Sequence, residues 1–218
     1  MFGESMHRDD VLAELTAERL DLCSYLEQLG SADWEVSSLC AGWTVHDVLA
    51  HLVANTEETV LGLFKGLIRA HGSFDRMVDR QAHERAAACS PEVLITQLRD
   101  AAASPRRPLG SQPIDPLCDV LIHGQDIARP IGRPRAMAPH RAVPALQHAA
   151  TSRFYGARKR FRGIRLTATD AEWTLGGGSV QVQGPVSDLL LVATGRAAGL
   201  ERLSGDGLAV VTERLAEG

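Results

Sequence analysis

Residues 115–132 read DPLCDVLIHGQDIARPIG, and much of the fold follows from how this stretch is read. Asp115-Pro116 starts a helix, since a proline in the first turn gives up an amide that has no intrahelical partner there. Leu117, Val120, Leu121 and Ile127 then share one side of a helical wheel, and Pro130-Ile131-Gly132 stops the run. The pattern predicts an amphipathic helix whose apolar side needs neighbours of the same kind.

Those neighbours lie upstream. Asp9 or Asp10 can cap a helix carrying Val11, Leu12, Leu15, Leu22, Leu26 and Leu29, with Gly30 as its stop. After the connector SADWEVSSLCAGW (31–43), Thr44-Val45-His46-Asp47 makes a T-x-x-D capping box, in which hydroxyl and carboxylate satisfy orphan amide donors. The helix it starts is expected to reach about residue 70 through Val48, Leu49, Leu52, Val53, Val60, Phe64, Leu67 and Ile68. Ser90-Pro91 starts another over about 91–103, with Leu94, Leu98 and Ala101, and the loop SPRRPLGSQPIDP (104–116) ends it. Four such helices pack most economically as a mostly antiparallel four-helix bundle.

Downstream the character changes. RPIGRPRAMAPHRAVP (129–144) reads as a Pro- and Arg-rich linker, and a helix is expected over about 141–157. Residues 164–169 alternate as a half-buried strand does, and Glu172–Leu175 with Ser179–Gln183 read as a hairpin about Gly176-Gly177-Gly178. Gly184-Pro185 opens a helix through Leu189, Leu190 and Val192 that ends at Gly195; a strand near Leu200–Leu203 and a short terminal helix close the chain. The expected fold class is α+β, with a helical bundle over 1–135 and a small domain of helices and antiparallel strands over 140–218.

Composition excludes several functions. The 218 residues carry a formal net charge of −4 and a pI near 6.1, against the basic excess of a dedicated nucleic-acid binder. Aromatics at 5% offer no platform for stacked bases. No run reaches the roughly 18–20 apolar residues of a bilayer span. The acidic, amphipathic start lacks the apolar core of a signal peptide, so a soluble, cytoplasmic protein is expected. Cys23, Cys40, Cys89 and Cys118 form no CxxC pair and read as reduced, small hydrophobic residues.

Eight histidines raise the question of a metal. Asp119 and His123 lie one helical turn apart, so both can reach one ion, although the same spacing describes an ordinary helix-surface pair. A third donor would come from the helix begun at Thr44. There His46 and His51 flank the apolar stripe on opposite sides, and at about 100° per residue periodicity does not choose between them. Asp126 could orient a ligand imidazole as a hydrogen-bond acceptor, or be a solvated helix charge.

The segment DWEVSSLCAGWTVHDVLAHLV (33–53) resembles the start of the mycothiol-dependent maleylpyruvate isomerase family: a Trp, a short Ser/Thr-Cys-Gly-Trp-Thr connector, then D-V-L-A-H-L. DVLIHGQDIARPIG (119–132) is similar to that family's second signature, and GPVSDLLLVATGR (184–196) to its C-terminal domain. The resemblance implies a DinB-like four-helix bundle holding a divalent metal, usually zinc, through His51, Asp119 and His123. It thereby selects His51 over His46. The characterised isomerase type carries Glu where this chain has Asp119; the shorter arm brings the ion nearer its helix or requires an intervening water.

The resemblance also implies mycothiol or a similar thiol as cosubstrate, and a small electrophile as substrate of an isomerase or S-transferase. Three N/O donors leave a fourth position open, where an ion favours an incoming thiol as thiolate. The alternative on the same scaffold is a non-catalytic metal protein acting as a sensor or partner module. Arg196, after LLLVATG, is the candidate catalytic cation, which would grip a substrate carboxylate through its fork as the resemblance allows, or is a surface arginine. The basic residues Arg153, Arg158, Lys159, Arg160, Arg162 and Arg165 either guide anions or form a solvated face. The electrophile is expected where the two domains meet, since ligand clefts favour such places.

Overall fold

The computed structural model describes residues 7–57, 73–107 and 110–217. It divides between Arg135 and Ala136 into two compact units. Among the described residues no helix is long and apolar enough to cross a membrane.

The N-terminal unit is helical. It comprises α1 (Arg8–Leu26), a 3-10 turn (Ser31–Glu35), α2 (Val45–Glu57), α3 (Phe74–Ala88), α4 (Pro91–Asp100) and α5 (Asp115–Ala128). α5 is its axis: Leu117, Cys118 and every residue from Val120 to Ala128 are buried. It packs against α1 and α2, while α4 packs against the same two helices, which makes a four-helix bundle. Leu22, Leu26, Leu49, Leu94, Leu98, Leu117 and Leu121 fill it, each fully buried and worth roughly 1.5–3 kcal/mol over exposure. Gly124 leaves room for Arg135, whose guanidinium would lie 2.9 Å from a Cβ there. Arg135 in turn pairs with buried Glu18 of α1 at 2.6 Å.

Several boundaries differ from the sequence reading. α1 starts at Arg8 with His7 as its N-cap, so Asp9 and Asp10 sit in the first turn, where they favour the helix dipole without capping it. It ends at Leu26, short of Gly30. α2 is described to Glu57, and its expected continuation to residue 70 lies outside the described residues. α3 had no counterpart in the sequence reading. It is rich in charge, and among its described side chains only Met77 and Ala82 are buried, so it lacks the apolar period that marks its neighbours. Packing against α2 holds it in place.

The C-terminal unit comprises α6 (Pro139–Thr151), α7 (Ala157–Arg160), β1 (Ile164–Ala168), β2 (Thr174–Leu175), β3 (Val180–Gly184), α8 (Val186–Ala193), a 3-10 helix (Ala197–Arg202) and α9 (Leu208–Ala216). The helix expected over 141–157 thus ends at Thr151. α8 is buried throughout and packs on α6 and on the sheet. The fold is α+β.

The sheet corrects two expectations. β1 is central: β2 pairs with it antiparallel through Leu166–Leu175, and β3 pairs with it in parallel from Ile164–Val180 to Ala168–Gly184. The expected hairpin is therefore absent. The triple glycine instead carries the chain across the start of β1, where Gly176 has φ +85° and a Cβ would lie 2.6 Å from the Ile164 carbonyl oxygen. Only glycine tolerates both. The strand expected at Leu200–Leu203 is mostly 3-10 helix, with one antiparallel bridge from Ser204 to Gln183 just beyond it.

Candidate functional site

The site grows from two neighbouring helices and the connector before α2. The capping box forms as its residue types require: Thr44 N and Oγ1 both donate to Asp47 Oδ2 (2.9 and 2.7 Å), and Asp47 N donates to Thr44 Oγ1 at 3.2 Å. This fixes where α2 begins, and hence the phase that turns His51 toward α5.

His51, Asp119 and His123 come together. Asp119 Oδ1 lies 3.4 Å from His123 Nε2 and 3.8 Å from His51 Nε2. The two imidazoles meet edge to face with centroids 4.9 Å apart. One ligand atom from each residue lies within 4.8 Å of the others. His46 turns elsewhere, its Nε2 donating to the Cys89 carbonyl at 3.0 Å.

Electrostatics binds the group. Burial works to raise the Asp119 carboxyl, but His123 and His51 beside it hold it well below the usual carboxylate range. Burial works to lower His123, but Asp119, Asp126 and Cys40 hold it well above the usual imidazole value.

Asp126 is not a solvated charge. It is fully buried, and its Oδ2 lies 2.9 Å from His123 Nδ1 and accepts from Cys40 Sγ at 3.2 Å. The Nδ1 proton is directed to Asp126, so Nε2 faces Asp119 and is the atom an ion would take in place of its proton. Cys40, His123 and Asp126 also converge closely enough to suggest a second set of metal donors. That set, however, uses the ring nitrogen whose proton Asp126 accepts, so it supports His123 and does not compete with it.

Four contributors were not read from the sequence. Asn55, one turn after His51, donates from Nδ2 to Asp119 Oδ2 at 2.9 Å and to His51 Nε2 at 3.1 Å. Trp43 packs against His51 at 5.1 Å and donates from Nε1 to Asp79 Oδ1 at 2.8 Å. Cys40 and Arg76 join Trp43 around a cleft of about 520 Å³ that reaches His51 and His123. Trp43 and Cys40 stand in the quoted connector, and Asn55 shares the His51 face of α2. Arg76 had no signal, being on the unassigned α3.

Arg196 lies in the C-terminal unit, half-buried at the start of the second 3-10 helix, with Nη1 donating to the Thr194 carbonyl at 2.8 Å. Within the basic run, Arg160 is buried and donates to the carbonyls of Ala193 (3.0 Å) and Tyr155 (3.4 Å), so it holds the fold. Arg153, Arg158, Lys159, Arg162 and Arg165 are exposed.

The family model of the mycothiol maleylpyruvate isomerase N-terminal domain matches residues 15–150, more than half the chain. The chain belongs to that family. The crystal structure of the mycothiol-dependent maleylpyruvate isomerase is similar to this member of the family with a TM-score of 0.60 and 15% identity, covering 92% of this chain and 93% of the other. A histidine-to-alanine mutant of that isomerase is similar with a TM-score of 0.59 over the same shares, again at 15% identity. At that identity the likeness to the isomerase concerns the fold. No curated protein sequence matches the chain.

Proposed function

We propose that this chain is a divalent-metal-dependent isomerase that uses a low-molecular-weight thiol of the mycothiol type on a small, carboxylated electrophile. The observation that carries this reading is a cleft that reaches His51 and His123, which converge with Asp119 as three N/O donors, in a chain of this family. The residues fit a metal. His123 directs its Nδ1 proton to Asp126, so an ion would take Nε2 in place of the proton held there. His51 Nε2 carries a lone pair, since it accepts from the Asn55 amide. With Asp119 they make a two-imidazole, one-carboxylate set suited to zinc.

His51, Asp119 and His123 would hold the ion. A cation there would lower the pKa of an incoming thiol. The chain's own residues then shape the reaction. Trp43 walls the cleft and limits water, and Arg76 sets a positive charge at its edge. Asp126 keeps the His123 ring from turning. The thiolate sulfur forms a C–S bond to the activated double bond, whose electron pair moves onto the conjugated carbonyl oxygen. Rotation about the resulting single bond follows. The electron pair then returns, the C–S bond breaks, and thiol and isomer leave with no net change in the thiol. Attack on an electrophilic carbon without that return would be S-transfer. In this reading the bundle over 1–135 supplies the metal site, and Arg196 is the candidate cation for a substrate carboxylate.

The test is thiol-dependent cis–trans isomerisation of small unsaturated carboxylic acids by zinc-loaded protein, against His51→Ala, His123→Ala and free zinc with thiol. Turnover lost in both variants, with zinc content reduced, is expected. A wild-type rate no greater than that of free zinc and thiol would refute the enzyme and leave a metal-binding sensor or partner module. Undiminished zinc binding in both variants would remove the metal site.

A further inference from the structure

We propose that Asn55 is a positioning residue that divides the Asp119 carboxylate, keeping Oδ2 for its own amide and leaving Oδ1 for a bound divalent cation. This rests on the metal reading above and adds to it the form of the ligation.

The geometry is specific. Asn55 Nδ2 lies 2.9 Å from Asp119 Oδ2 and 3.1 Å from His51 Nε2. An amide nitrogen has two protons and no available lone pair, so both contacts are donations. The reverse orientation would set the amide oxygen against a carboxylate oxygen and is repulsive. Oδ2 is therefore engaged, while Oδ1 is the oxygen that approaches His123 Nε2 and His51 Nε2, at 3.4 and 3.8 Å.

Two consequences follow for a cation. A carboxylate binds metals through one oxygen or two; here the second is held back by a donor on the adjacent helix. The donor is neutral, so it orients the carboxylate without neutralising the charge that attracts the ion. Its second proton sits on His51 Nε2, which selects the tautomer with a lone pair there. On loading, that contact gives way to the ion, and the bond to Oδ2 remains. One-oxygen ligation by Asp119 keeps a position open for an incoming thiol.

The experiment loads wild type, Asn55→Ala, Asn55→Leu and Asn55→Gln with Co²⁺. It reads the visible d–d absorption together with affinity by chelator competition. Wild type should show the intense absorption of a four-coordinate site. In Asn55→Ala the band should weaken as Asp119 contributes its second oxygen, and affinity should fall by about 10- to 100-fold. Asn55→Leu, closer in volume, should behave alike and serves where the smaller side chain loosens α2. Asn55→Gln, which keeps the amide, should recover part of the band. Wild-type spectrum and affinity in both Asn55→Ala and Asn55→Leu would overturn the inference while leaving the metal reading intact. Failure of wild type itself to bind Co²⁺ would overturn both.

Discussion

The buried Asp126 carboxylate holds an imidazole and a thiol at one oxygen: Oδ2 lies 2.9 Å from His123 Nδ1 and 3.2 Å from Cys40 Sγ. The Asp126 backbone carbonyl also accepts from Leu39 N at 3.1 Å. One residue of α5 thus sets the His123 ring and anchors the connector that lines the cleft. In Asp126→Asn the charge is lost and the ring is less firmly held, so zinc affinity should drop by about 10- to 100-fold. Chelator competition measures it, and wild-type affinity in this variant would remove Asp126 from the site.

The capping box should show in stability and in its pH dependence. Thr44→Val removes a hydroxyl that both donates and accepts, at a cost of about 0.5–2 kcal/mol. At roughly 2–4 °C per kcal/mol for a chain of this size, the loss is visible in thermal unfolding. Burial alone would raise the Asp47 carboxyl, but the Thr44 hydroxyl and amide, then His83, bring it below its ordinary value. A depressed folded-state pKa means stabilisation that is full above the unfolded value of about 3.9 and is lost as pH falls through the folded one. Asp47→Asn should therefore be less stable than wild type at neutral pH and converge with it in acid. A gap that persists unchanged to pH 2 would contradict this assignment.

The glycine crossing permits a matched pair of variants. Gly176→Ala places a Cβ at φ +85° and 2.6 Å from the Ile164 carbonyl oxygen, and should cost about 1–3 kcal/mol. A Cβ at Gly177 meets nothing within 4 Å, so Gly177→Ala should be close to neutral. Equal unfolding midpoints for the two variants would show that the crossing is not constrained as described.

Two arginines compete for the role of anion anchor. Arg196→Ala should raise KM for carboxylated electrophiles by about ten- to a hundredfold, the worth of a charge-assisted hydrogen bond of roughly 1.5–3 kcal/mol. KM for an uncharged electrophile should stay as it was. Arg76→Ala is expected to act on both in proportion to salt, as a rim charge does. Steady-state kinetics in low and high salt separates them. An unchanged KM in Arg196→Ala would move the anchor to Arg76.

The helices that were legible in the sequence are those with a strong apolar period and a start signal. α5 shows both at Asp115-Pro116 and Leu117–Ile127, and α2 opens at the Thr44–Asp47 box. α3 has a start signal, since the Ser73 hydroxyl caps it by accepting from Arg76 N at 3.4 Å, but no strong apolar period. The strand residues β1 and β3 were recognisable by alternation, but alternation carries no information about partner or direction. The pairing was decided by where Gly176 and Gly178 let the chain approach β1. At the site, Asp119 and His123 were visible as a helical pair because they share one turn. The choice of His51 needed the family resemblance, and in the structure His46 is drawn off to Cys89. Asn55 and Cys40 became visible only once α2, α5 and the connector were in contact.

From Val120 to Ala128 α5 is buried at every position, so that stretch has little freedom: nearly any change there meets a packed neighbour. Asp119 and His123 ride on that helix. The residues that would greet an arriving molecule, Trp43 and Arg76 among them, stand instead on the connector and on the charge-rich α3. Substitutions at the cleft rim can therefore retune which molecules are accepted while the donor atoms keep their positions. The architecture separates what must be inherited unchanged from what can diverge between relatives.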